Sequence, residues 1–76
     1  MLAENDRVVL AADLPDEGLA AGDVGTVVHV HRGGAAFEVE FVSLDGKSSV
    51  VVTADADKVR PVRRHEIAHA RILAVA

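Results

Sequence analysis

"AAFEVEFVS", residues 35–43, decides the fold. Phe37, Val39 and Phe41 stand two apart, with Glu38 and Glu40 between them. In an extended chain successive side chains point to opposite faces, so this stretch has one apolar face and one acidic face. A slip of one residue would bury both glutamates, so the alternation also fixes the register. The stretch reads as a strand with one face on a core.

Working outward, the flanking runs read the same way. "RVVLAA" (7–12) is a short β-branched run, "VGTVVHVH" (24–31) a second strand, "SSVVVTA" (48–54) a fourth and "KVRPV" (58–62) a fifth. Pro61 cannot donate to a ladder, which confines the fifth strand to an edge. Between them lie a long polar loop, "DLPDEGLAAGD" (13–23), and three tight turns at "RGG" (32–34), "LDGK" (44–47) and "DAD" (55–57), the last with room for one 3₁₀ turn. Five short strands joined this way predict an all-β fold, a small five-stranded β-barrel over residues 1–62. Curling a sheet of this size covers its apolar face and removes most of its edges. The predicted core is Val8, Leu10, Val28, Val30, Phe37, Val39, Phe41, Val50, Val52 and Val59. Val9, Val27, Val42 and one of the three valines 50–52 then face away from it and need a second cover.

Residues 63–76, "RRHEIAHARILAVA", form a C-terminal tail that is helical or extended. Good helix formers and the absence of Gly and Pro favour helix. The alternation Ile67, His69, Arg71, Leu73, Val75 also fits an extended chain.

Charge divides the chain at the same place. Residues 1–57 hold three basic side chains against eleven acids, a net of −8, while residues 58–76 hold five against Glu66, a net of +4. Attraction alone would keep such a tail against the body. The chain has no Cys, which rules out disulfides and thiolate metal sites and fits a reducing cytoplasm. No apolar run approaches the roughly 20 residues of a membrane span, and "MLAENDR" lacks the features of a signal peptide.

The stretches "DRVVLAADLPDEGLAAGDVGTVVHV", "FEVEF", the Asp-Gly turn and "VVVTADADKVRPV" resemble a family of short bacterial proteins of unknown function. That family is SH3-like, akin to the C-terminal domain of the nitrile hydratase β subunit. The resemblance spans roughly residues 5–62. It implies the barrel, a bacterial cytoplasmic setting, and an accessory or antitoxin-like role beside a protein partner encoded nearby. It assigns no residue. "GDVGTV" is also similar to the turn of KOW-type barrels, and Gly22 and Gly25 are expected where the backbone needs freedom in φ.

Residues 65–69, "HEIAH", match the H-E-x-x-H pattern, in which two histidines one helical turn apart hold zinc and the Glu acts as base. The positions that would supply the downstream Gly and third ligand are Ile72 and Val75, so no peptidase is expected. Other catalytic arrangements lack parts, and the chain is not expected to be an enzyme or to need a cofactor. A metal site is the alternative. His29 and His31 share a strand face, His65 and His69 share a face of either form of the tail, and two such pairs together would make a four-imidazole site. His65 or His69 beside Glu38 or Glu40 would instead make a titratable latch. Nucleic acid is disfavoured, because the body is acidic and both aromatics point to the core. The leading expectation is a protein-interaction module. Its contact residues are Arg63, Arg64, Ile67, Arg71, Ile72 and Leu73, with the acidic loop 13–23 beside them, and it can self-associate through the tail or an edge strand.

Overall fold

The computed structural model describes residues 2–73. Its five strands are β1 (Arg7–Leu10), β2 (Val24–His31), β3 (Ala36–Val42), β4 (Ser49–Asp55) and β5 (Val59–Pro61). They form one antiparallel sheet in the order β4-β3-β2-β1-β5, a meander whose last strand returns beside its first. The fold is all-β and barrel-like, with the five strands expected from the sequence. β4 and β5 do not pair with each other, so the barrel is open and both remain edges. Pro61 sits in the edge strand β5, opposite Val8. Short 3₁₀ turns occupy Pro15–Glu17 in the long loop and Ala56–Lys58 before β5.

β3 behaves as its alternation dictates. Phe37, Val39 and Phe41 are buried, and with Val8, Leu10, Val52 and Val59 they make up most of the core.

β2 differs from expectation by one residue. Val27 pairs with Val39 and His29 with Glu38, so Val28 is an extra residue with no partner. This is a β-bulge. Val27 therefore points inward and is fully buried, while Val28 is 41% exposed. Past the bulge the strand is back in phase, and Val30 packs on the core rim. Val50 is likewise only partly buried.

Two further core contributions come from outside the predicted set. Ala54 ends the inward face of β4, and Leu19 reaches in from the polar loop. Leu14 and Leu19 pair across the 3₁₀ turn, and Asp13 accepts the Ala21 amide at 2.9 Å. The loop is thus folded on itself and pinned through one leucine. Val9 faces away from the main core, as expected, yet is buried. Val62 and the tail residues Ile67 and Ala68 line a cleft beside it.

Gly22 has φ +94°, which Gly accepts without cost. Gly25 is needed for a different reason. A Cβ there would lie 2.6 Å from Val39 Cγ1 and 2.9 Å from the Glu40 carbonyl oxygen, so only Gly lets β2 approach β3 this closely.

Candidate functional site

The tail leaves β5 through a turn at residues 63–66. The Glu66 amide donates to the Arg63 carbonyl at 3.4 Å, and His65 takes φ +68°, a left-handed conformation that His tolerates better than most residues. One carboxylate holds this turn. The Arg60 guanidinium donates to both Glu66 oxygens, at 2.9 and 2.7 Å, and the Arg63 amide donates as well. Above all the Arg60 bonds, then the Arg63 amide, hold the Glu66 carboxyl down to about 2, and the same pairing raises Arg60.

From there the described chain, to Leu73, is neither helix nor strand. The helical alternative for the tail is therefore not borne out: residues 67–73 are irregular chain, and Val75, the end of the predicted alternation, lies outside the described residues. An isolated helix of about 14 residues is marginal in water, and side-chain anchors on the body hold this segment instead.

The main anchor is Arg71. Its Nε donates to Asp23 Oδ1 at 2.8 Å, and its Nη2 donates to Asp23 Oδ2 and to the Gly18 carbonyl, the latter at 3.1 Å. Asp23 is already committed to its own loop, accepting the Ala20 amide at 2.9 Å. The Arg71 bonds, ahead of that amide, hold the Asp23 carboxyl below its ordinary value, against the opposing effect of burial. Two residues on, Leu73 packs against the core.

The tail so anchored crosses two clefts. One, of about 340 Å³, lies between Leu19, Asp23, Phe41 and Leu44 on the body and Arg71 and Leu73 on the tail. The other, of about 410 Å³, lies over Val9 and Val24, beside Arg60, Glu66, Ile67 and Ala68. Next to them are the most exposed large apolar side chains among the described residues: Leu44 at 92%, Ile67 at 93% and Ile72 at 92%.

The histidines do not converge. His29 and His31 meet edge to face with ring centroids 4.5 Å apart. His29 Nδ1 lies 3.8 Å from Glu4 and His31 Nε2 lies 3.7 Å from Glu38. His65 is in the turn, and His69 lines both clefts. Among the described residues no group of three or more His, Cys, Asp or Glu side chains is placed to hold a metal ion. His65 sits in the turn and His69 beyond it in the cleft wall, and Glu66 between them is held by Arg60. The tail latch is likewise not His against Glu38 but Arg71 against Asp23. Both phenylalanines are buried and present no stacking surface.

Of the expected contact residues, Arg71 and Leu73 are therefore anchors on the body, Ile67 and Ile72 face solvent, and Arg63 and Arg64 are exposed in the turn. Asp23 and Arg60, the body's side of both anchors, carried no signal beyond their charge. Arg71 and Asp23 are 48 residues apart.

Residues 4–61 match the model of the family described as Domain of unknown function (DUF4926). The chain belongs to that family. The DUF4926 match spans all five strands and the 13–23 loop and stops short of the turn at 63–66, so the body half of the Arg71 clamp lies inside it and Arg71 outside. No curated protein and no solved structure gives a significant match. No helix among the described residues is long and apolar enough to cross a membrane.

Proposed function

We propose that this chain is a non-catalytic protein-interaction module, an accessory or antitoxin-like protein of the bacterial cytoplasm that binds a protein partner. The observation that carries this reading is the exposure of Leu44, Ile67 and Ile72 around the clefts crossed by the tail. Burying one such side chain stabilises a complex by about 1.5–3 kcal/mol. Leu44 and Ile67 each border one of the two clefts and Ile72 lies between the anchors Arg71 and Leu73, which supports reading this region as a contact surface. The β4 edge, with Val51 outward, adds a route to self-association. Light scattering after size exclusion, and co-purification from the native host, test the reading with wild type against a Leu44→Asp, Ile67→Asp, Ile72→Asp chain. The wild type is expected to associate and the triple variant to stay monomeric and alone. Identical behaviour of the two overturns it.

A second reading, metal binding, has the His29–His31 ring contact as its support. Calorimetric zinc titration decides it: heat in the wild type that disappears in His29→Ala favours metal, and no heat in the wild type ends it.

A further inference from the structure

The segment 67–73 lies against the body in neither helix nor strand, and among the described residues it makes no main-chain to main-chain hydrogen bond. Two side chains hold it: Arg71 on Asp23 and the Gly18 carbonyl, and Leu73 against the core. A bound peptide has the same character, with a charged anchor, an apolar anchor and no structure of its own.

The receiving site is built without the tail. Asp23 is oriented by the Ala20 amide, and its main-chain carbonyl accepts the Leu10 amide at 2.8 Å. The Gly18 carbonyl sits at the end of the Pro15–Glu17 turn, where Gly18 has φ +71° and its amide donates to Pro15 at 3.1 Å. Leu19 ties the loop into the core, and Phe41 and Leu44 close the apolar side of the cleft. None of these contacts involves residues 63–73, so the body's side of the site stands without the tail, which supplies only the cleft's other wall.

Resting on the interaction reading above and deepening it, we infer that this cleft recognises an extended peptide carrying an arginine, any residue, and then an aliphatic residue. The chain's own Arg71–Leu73 is seated on the body's side of it in cis, and a partner segment of the same chemistry takes its place. Charge favours such a ligand, because residues 1–57 carry a net of −8. A planar guanidinium suits the arrangement of one carboxylate and one carbonyl better than an ammonium does. A tethered occupant competes at an effective concentration on the order of millimolar, so a partner sees the cleft partly blocked.

The probe is a fluorescein-labelled peptide of residues 66–73, EIAHARIL, titrated into full-length protein and read by anisotropy. The Arg71→Ala chain, with its cleft vacated, is expected to bind the peptide about tenfold more tightly than wild type. Adding Asp23→Asn, which keeps an acceptor for the Ala20 amide, is expected to weaken binding at least tenfold. A peptide with Ala in place of Arg is expected to bind none of the chains; this comparison needs no protein variant to fold. Equal affinity of wild type and Arg71→Ala, or of the Arg and Ala peptides, overturns the inference. A chain that associates through Leu44, Ile67 and Ile72 but ignores the peptide also overturns it and leaves the interaction reading standing. Peptide binding by a chain whose triple aspartate variant behaves like wild type supports the cleft and removes that reading.

Discussion

The sheet and the tail are held in different ways. β2, β3 and β4 are joined by long ladders, broken only at the Val28 bulge, and most of their inward side chains are excluded from water. The tail covers a similar length of chain with two arginine–carboxylate pairs and one leucine. A ladder shares its load over many bonds, so losing one is tolerated. A strap with two anchors comes off when one goes. Local opening should therefore cost little in the tail and close to the full unfolding free energy in β2 and β3.

The largest effect that breaks this contrast comes from Gly25. Its replacement by Val puts atoms where Val39 and the Glu40 carbonyl already stand, and a backbone carbonyl cannot swing aside. The expected loss is about 3 kcal/mol or more, a large share of the stability of so small a domain. Thermal unfolding should show it as a fall of well over 10 °C, at about 4–8 °C per kcal/mol. A melting temperature within a few degrees of wild type would mean the strands part easily.

Next is the bulge, where two adjacent valines should differ. Val27→Ala removes two buried methyl groups and leaves a cavity, for about 2 kcal/mol, whereas Val28→Ala should stay within about 0.5 kcal/mol. Urea titration measures both; equal losses would place Val28 in the core after all.

The smallest effect in free energy, though the most local, is on the tail. Glu66 is held at about 2 when folded against an ordinary value of 4.5. Its folded value is the lower one, so its contribution is present in full above about pH 4.5 and is lost as pH falls through 2. Proton NMR of the Glu66 side chain should titrate near 2, with the amides of residues 63–66 moving in step and those of β3 unaffected. In Glu66→Gln the amides of the turn should lose that response. A midpoint near 4.5 in wild type would mean the Arg60 pair is not formed in solution.

The sequence made β3 readable because one face of it had to be buried and the other could not be. β2 was read one residue out at its centre. Its run Val27-Val28 offers two equally apolar phases, and only pairing against Val39 and Glu38 selects between them. Leu19 was hidden because its neighbours are those of a solvated loop, and burial of a loop leucine depends on where the loop folds back. In the tail, local propensity pointed to helix, while the deciding contacts came from Asp23 and Arg60. Helix preferences sum over neighbours; an ion pair spanning 48 residues leaves no trace in them. The candidate cleft was legible only as its two halves, an acidic loop and a basic tail.

One consequence of the bulge concerns length rather than stability. Val28 faces no partner, and the residues on either side of it keep the faces they would have if it were absent. Removing it would leave Val27 inward, His29 outward and Val30 inward, in unbroken alternation. β2 therefore carries one residue of slack. It is a place within a strand where the chain can shorten without turning any other side chain over, a freedom normally confined to loops.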